Sequence, residues 1–280
     1  MPNQIDRLSS QSGQGQTTCH SCQRLSVVIP AFNEEQRLPK AVAAVTAYLT
    51  KQTYASEIIV VDDGSTDGTA NVVQELIRTH RDLKLLRLDE NQGKGAAVKT
   101  GIFASAGDFV LFADADQSTP IHQTDKLMPF LTDEGYDIAV GSRGKKGAEV
   151  GRSQVWYRRL AGKLFGCLGR ALLYRGIVDS QCGFKLMTRE AAQSIFRRLS
   201  SPTAIFDMEL LVLAGKFGFS VAEVPVEWNH DPDTRIAYNM RKSVRIVWEL
   251  LRIKFRHRVW WSVRVRTWPR SKHQTAERQQ

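Results

Sequence analysis

The sequence predicts an α/β protein, with a mostly parallel sheet and helices on both of its faces. Three observations predict it. Strand-like and helix-like patterns alternate from Leu25 to Arg143, the signature of strands joined by crossover helices. Several of the strands are unbroken apolar runs rather than alternating ones, as expected of strands covered on both faces. Acidic clusters follow three of these strands, at the ends where doubly wound sheets bind ligands.

Residues 1 to 23 are rich in Gln, Ser, Gly and Thr and too polar to pack, so they are expected to be disordered. LSVVIP (Leu25 to Pro30) reads as the first strand. Glu34 to Lys51 reads as a helix, with Leu38, Val42, Val45 and Leu49 on one stripe. EIIVVDD is the second strand, and Asp67 to His80 the second helix, with Asp67 as its cap. LKLLRL, then Gly95 to Ser105, then DFVLFAD repeat the unit, and YDIAVGSR (Tyr136 to Arg143) closes the alternation. Beyond it, Val155 to Tyr174 reads as an amphipathic helix with many basic residues and no acid. Residues 189 to 217 read as two helices broken at Ser200-Ser201-Pro202, VAEVPVEW as a short strand, and Met240 to Val265 as a long basic helix bearing tryptophans.

The chain has 280 residues and a net charge of +10, and the whole excess lies in its tail. From Arg241 to Gln280 there are 12 Lys and Arg against 2 Asp and Glu, while the first 240 residues hold 27 of each sign. Such a tail seeks phosphate, in nucleic acid or in an anionic membrane. Its basic residues alternate with Ile246, Val247, Leu250, Leu251, Ile253, Val259 and Trp260. A polyanion in water would leave that apolar face unused, so a membrane surface fits better. A helix packed on its own domain is the alternative. No apolar run reaches the 18 or so residues a spanning helix needs, and the N-terminus has no signal-peptide core, so a cytoplasmic chain, peripheral at a membrane's cytosolic face, is expected. Four cysteines make no disulfide framework at this length. Cys19 and Cys22 flank His20 like half a zinc ligand set, but Cys167 and Cys182 stand singly and far away. Cys182 reads as a packing residue.

LFADADQST carries Asp114 and Asp116 at the end of a buried strand, on one face because residues i and i+2 share a face. Two like charges so close are costly unless something positive lies between them. A hard cation such as Mg²⁺ or Mn²⁺ carrying phosphate oxygens suits such a pair. The clusters PAFNEE (Pro30 to Glu35), DDGSTD (Asp62 to Asp67) and DAD (Asp114 to Asp116) converge on one crevice in a doubly wound sheet. There is no G-x-G-x-x-G after the first strand and no GxxxxGK[ST], so dinucleotide and P-loop readings lack support. NQGKG (Asn91 to Gly95) sets glycines and Lys94 at a helix start, suited to phosphate or sugar, or equally to a plain turn.

VVIPAFNEE, EIIVVDDGSTDGT, NQGKGAAVKTG, DADQST and GSR, in this order and spacing, resemble the family 2 inverting glycosyltransferases with the GT-A fold. VDSQCGFKLMTREAA and AIFDMELLVLAGKFGFSVAEVPVEW resemble the dolichyl-phosphate glucosyltransferase branch, near the mannose synthases. The resemblance covers roughly Leu25 to Trp260. It implies a GT-A domain over 24–235, with a nucleotide-sugar half (24–143) and an acceptor half (144–235), followed by a membrane-surface helix (236–268) and a polar tail (269–280).

The resemblance further implies a UDP-glucose donor, a polyprenyl or dolichyl phosphate acceptor and Mg²⁺ or Mn²⁺. Pro30, Phe32, Glu34, Val61 and Asp63 would line the nucleoside pocket, with Lys94 beside the nucleotide and Asp63 accepting from the pyrimidine N–H. Asp114 and Asp116 would hold the metal, with Gln117 as a further ligand; the mannose synthases place that amide one residue later, where this chain has Ser118. Arg143 would hold the lipid phosphate with Ser142, Arg152 or Arg158. Asp207 and Glu209 would orient the sugar hydroxyls or Arg143, or, at Asp207, simply complement a helix dipole. GDP-mannose as donor and a soluble acceptor remain alternatives; nucleic acid as a partner is not expected.

Overall fold

The computed structural model describes residues 23–151, 166–229, 240–259 and 262–267. The expectations for the first 22 residues, for Cys19, His20 and Cys22, for Arg152 and Arg158, for Trp260, Trp261 and Trp268, and for the polar tail lie outside the described residues.

The first half follows the expected alternation. Strand β1 (Arg24–Ala31) leads through α1 (Leu38–Leu49) to β2 (Ala55–Asp62), then through α2 (Thr69–Ile77) to β3 (Leu83–Arg87), and through α3 (Lys94–Ala104) to β4 (Phe109–Ala113). After α4 (Thr124–Thr132), which carries no clear pattern in the sequence, comes β5 (Ile138–Ser142). The expected stripe of α1 is buried at all four positions, Leu38, Val42, Val45 and Leu49. Asp67 sits one residue before the N-cap of α2, and its Oδ1 accepts from the Thr69 N–H at 3.0 Å, so it does serve the helix start.

The second half keeps the two expected helices, broken around Ser200-Ser201-Pro202, and the expected strand in VAEVPVEW, but adds strands that were not expected. Short strands β6 (Glu149–Val150) and β7 (Tyr174–Arg175) precede β8 (Phe184–Thr188), and α5 (Arg189–Arg198) and α6 (Phe206–Phe217) precede β9 (Val221–Pro225) and β10 (Glu227–Trp228). The sheet order is β3-β2-β1-β4-β8-β5-β9. Strand β8 is antiparallel to both β4 and β5, between which it is inserted. Helix α7 (Met240–Arg256) ends well before Val265, and the chain returns as β11 (Val263–Arg264), paired with β7.

Helices cover both sheet faces. One face, carrying Val28, Val61, Phe112 and Val140, packs under α3, α5 and α6; the other, carrying Val27, Val60, Leu111 and Ala139, packs under α1 and α4. This is the period-two partition of strands covered twice. Helix α7 joins the first of these cores through Leu250 and Ile253, followed by Val259 and Val265, all at most 3% exposed. One side of α7 and the chain after it are thus packed on the domain. The same helix turns Val247, Trp248 and Phe255 outward, the last two about two-thirds exposed.

Candidate functional site

Strands β2, β1 and β4 are adjacent and parallel, so their carboxyl ends open on one crevice. Most of the acidic residues of the first two clusters are spent on joining loops. The N–H of Glu34 donates to Thr69 Oγ1 at 2.8 Å, and its carboxylate lies 3.3 Å from Arg37. Glu35 accepts from the Gly68 N–H at 3.0 Å, and Asn33 Oδ1 from the Thr66 N–H at 2.9 Å. Phe32 stands at the mouth, 40% exposed, while Pro30 is buried. Val61 is also fully buried: its Cγ2 would lie 3.1 Å from a Cβ on Gly101 of α3. The expectation that Val61 lines a nucleoside pocket is thus corrected for its side chain, because a strand covered by helices on both faces buries its side chains in one core or the other.

Asp63 is 3% exposed and anchors the NQGKG turn: the N–H groups of Gln92 and Gly93 donate to its two oxygens, both at 2.8 Å. Burial pushes its carboxyl above the usual range, against these two bonds. A carboxylate has about four acceptor sites, so capacity for a base N–H remains. Gly93 takes φ +99°, a region other residues avoid, and a Cβ there would meet the Pro202 carbonyl oxygen at 2.5 Å. The turn delivers Lys94 as the first residue of α3.

Asp114 and Asp116 follow β4. The antiparallel register sets Phe112 opposite Lys185 and Ala113 opposite Phe184, which brings Asp114 against Gly183. The Asp114 N–H donates to the Gly183 carbonyl at 3.2 Å, and a Cβ on Gly183 would stand 1.9 Å from Asp114 Oδ2. Only glycine leaves room for this carboxylate. Asp116 Oδ1 accepts from the Ser118 N–H at 2.9 Å. Burial, and then the charge of Asp114, raise the Asp116 carboxyl above its ordinary value, so the pair does crowd like charges. Gln117, at φ +52°, donates through its amide nitrogen to the Asp114 carbonyl oxygen at 3.4 Å, which leaves its amide oxygen uncommitted beside the pair.

Positive charge meets these carboxylates from two sides. Lys94 Nζ lies 2.6 Å from Asp114 Oδ1 and 5.1 Å from the centre of the Phe112 ring. Burial alone would push its ammonium down, but Asp114, Asp207 and Asp116 together raise it above its ordinary value. Lys185 is fully buried on the same sheet face; its Nζ is 2.5 Å from Asp207 Oδ1, 2.6 Å from the Cys182 carbonyl oxygen and 5.7 Å from the Phe112 ring. Asp207 thus sits in a buried ion pair. Among the described residues, no three His, Cys, Asp or Glu side chains could hold a metal by themselves. The donor set nonetheless suits Mg²⁺ or Mn²⁺, which accept one or two carboxylates and complete their shell with phosphate oxygens and water.

Arg143, just past β5, donates through its backbone N–H at 2.9 Å and through Nε and Nη2 at 2.7 and 2.8 Å to the Asp179 carboxylate. Its guanidinium lies 5.4 Å from the Trp228 ring, and Asp114 contributes to holding its charge. Asp179 is itself set by Glu223, which accepts from its N–H at 2.9 Å. Ser142 is fully buried and its Oγ is not open to a lipid phosphate, a second correction. A third concerns Glu209. Its buried carboxylate accepts from Ser200 N–H and Oγ and from Ser201 N–H, and lies 2.5 Å from His257 Nε2. It fixes the loop after α5 to the end of α7; Arg143 is oriented by Asp179 instead.

Sequence reasoning missed Lys185, Asp179, Gly183 and Trp228. All lie in VDSQCGFKLMTREAA or VAEVPVEW, and the signal available was a lone lysine inside the apolar run of FKLM and an acid six residues before it, at Asp179.

A model of glycosyl transferase family 2 matches residues 26–196. The dolichyl-phosphate beta-glucosyltransferase of Homo sapiens is 39% identical over 217 residues, covering 73% of this chain and 67% of that protein. The one from Dictyostelium discoideum is 34% identical over 244 residues, covering 83% and 74%. Among solved structures, glucosyl-3-phosphoglycerate synthase from Mycobacterium tuberculosis, crystallised with Mn²⁺, uridine-diphosphate-glucose and glycerol 3-phosphate, is similar in fold. It has a TM-score of 0.56 and 21% identity, and the match covers 84% of this chain and 80% of that one. With the GT-A sheet, the match over 26–196 and this level of identity to named relatives, the chain belongs to glycosyl transferase family 2 and is a glycosyltransferase.

Proposed function

We propose that the protein transfers glucose from UDP-glucose to a polyprenyl phosphate of the dolichyl type, with inversion and with a divalent metal. The observation that carries this reading is the meeting of opposite charges at one sheet edge: Asp114 and Asp116 just past β4 with Lys94 against Asp114, and Arg143 just past β5, which ends at the same edge because β4 and β5 both run antiparallel to β8 between them. The relatives named for dolichyl phosphate and glucose support the acceptor and the sugar. The fold neighbour crystallised with Mn²⁺ and uridine-diphosphate-glucose supports the donor and the metal.

The chemistry asks little of a base. A phosphate monoester is largely dianionic near pH 7, its second pKa being about 6. Its oxygen attacks the anomeric carbon, the bond from that carbon to the β-phosphate oxygen breaks, and UDP leaves with the electron pair. No proton need be removed, which agrees with Asp207 being engaged by Lys185. A divalent ion on Asp114 and Asp116 would offset the charge of the departing diphosphate. Lys94 would contact the diphosphate, Asp63 the uracil N–H, and Arg143 the acceptor phosphate through the part of its fork that Asp179 does not take. Gln117 would add a further ligand through its amide oxygen, and Arg152 and Arg158 would add to the acceptor side.

The acceptor is a lipid, so the protein would work at an anionic membrane surface. Trp248 and Phe255, seven residues apart and therefore on one side of α7, stand outward with Arg252 and Arg256. Among the described residues no helix is long and apolar enough to cross a membrane.

The test is a panel. Purified protein with Mn²⁺ is given UDP-glucose, UDP-galactose or GDP-mannose together with a short polyprenyl phosphate or 3-phosphoglycerate, and products are identified by mass. A hexosyl lipid from UDP-glucose is expected. A product only from GDP-mannose, or only on the soluble acceptor, would overturn the donor or the acceptor assignment respectively.

A further inference from the structure

The Lys94 ammonium is bonded to the carboxylate on which a divalent ion is expected, 2.6 Å from Asp114 Oδ1. We propose that Lys94 is the standing counter-cation of Asp114 and that donor binding is an exchange. The donor's diphosphate takes the ammonium, and Asp114 thereby becomes free for the metal. The inference rests on the reading of this crevice as a metal-dependent donor site.

Asp114 has little room to turn away. Its N–H is tied to the Gly183 carbonyl, and its carboxylate is wedged where a Cβ on Gly183 would stand. The backbone of Lys94 is equally fixed. The N–H groups of Gly95 and Ala96 donate to the Pro202 carbonyl at 2.7 and 3.4 Å, and the turn before them is held by Asp63. What can move is the flexible four-carbon stem of Lys94, whose side chain remains 31% exposed to the crevice.

The charges favour the exchange. Asp114, Asp116 and Asp207 face Lys94 and Lys185, a sum of one negative charge. A divalent ion arriving alone must compete with an ammonium already in contact with its first ligand. A diphosphate arriving alone meets that ammonium but also three carboxylates. Each is a poor ligand by itself, and each improves the site for the other. By linkage the coupling is reciprocal, and couplings of this kind commonly amount to about 5–150-fold.

The prediction concerns binding, with no turnover involved. Mn²⁺ affinity is measured by the spin resonance of the free ion, with and without UDP, and UDP affinity by calorimetry, with and without Mn²⁺. Wild type is expected to bind Mn²⁺ alone about tenfold or more weakly than with UDP. Lys94→Met should tighten Mn²⁺ alone by about tenfold and weaken UDP alone, which shrinks the coupling. Lys94→Arg, which keeps the charge, should remain close to wild type; Lys94→Gln serves as a second neutral variant. Unchanged Mn²⁺ affinity in both neutral variants would overturn the exchange, as would a Lys94→Arg protein that binds Mn²⁺ as tightly as Lys94→Met. A wild type that takes no UDP under any condition would instead remove the donor reading, and the exchange with it.

Discussion

Arg143 and Asp179, 36 residues apart, are joined by two side-chain hydrogen bonds and one from the backbone, at 2.7, 2.8 and 2.9 Å. The pair is a fork on a carboxylate, the geometry in which Arg and Lys differ most. Arg143→Lys should therefore lower transfer to the lipid by roughly 10–100-fold while UDP binding measured by calorimetry is unchanged. A parallel fall in UDP affinity would move Arg143 to the nucleotide side.

The same pair makes a prediction about acid. Burial would raise the Asp179 carboxyl, but Arg143 outweighs it and holds the group below its ordinary value. A depressed carboxyl stabilises the fold fully above its unfolded pKa, about 3.9, and loses that contribution as pH falls through the folded value. The stability advantage of wild type over Asp179→Asn should thus be constant near neutrality and shrink below about pH 4. Denaturant titrations at a series of pH values measure it, and an advantage that grows in acid would contradict the assignment.

Gly183→Ala tests how Asp114 is held. The new Cβ would stand 1.9 Å from Asp114 Oδ2, so the carboxylate or β8 must shift. Overpacking of this kind costs about 1–3 kcal/mol, which a fold of this size survives. Transfer should fall by about 100-fold or more, since a displacement near 1 Å at a reacting centre is enough for that. A thermal melt and an activity assay on the same preparation separate the two effects; full activity would show that the Asp114 position is not critical.

Glu209 should behave as a structural residue. Glu209→Ala leaves two backbone N–H groups, a hydroxyl and His257 without their acceptor. Unmet buried donors cost about 1–3 kcal/mol each before relaxation, so a loss of about 2–4 kcal/mol in denaturant unfolding is expected. Unchanged stability with lost activity would return Glu209 to the catalytic group.

What the sequence made legible was whatever depends on local pattern. The apolar run of β4 located the Asp114 and Asp116 pair at its carboxyl end, although the strand stops at Ala113 and the pair lies in the turn beyond it, and the stripe of α1 was read residue by residue, because such patterns are local. Strand β8 was not legible as a strand, because its neighbours β4 and β5 lie far away in sequence and it carries a charged residue at full burial. Lys185 is tolerated there through Asp207, the Cys182 carbonyl and the Phe112 ring, none of which adjoins it in sequence. Glu209 and Asp207 looked alike as first-turn acids of α6, yet one faces a loop and His257 and the other faces Lys185. A helical period of 3.6 gives their relative direction but not what packs in each direction. For Val61 and Ser142 the family motif gave proximity to the crevice, while the helices that cover both faces of the sheet bury the side chains.

Metal-dependent transfer at Asp114 and Asp116 can be tested in one assay. Wild type and Asp116→Ala, matched for folding by their melting curves, are incubated with UDP-glucose and a short polyprenyl phosphate in Mn²⁺ or in excess EDTA, and glucosyl lipid is quantified. Product is expected only from wild type in Mn²⁺. Undiminished product in EDTA, or from Asp116→Ala, would contradict it.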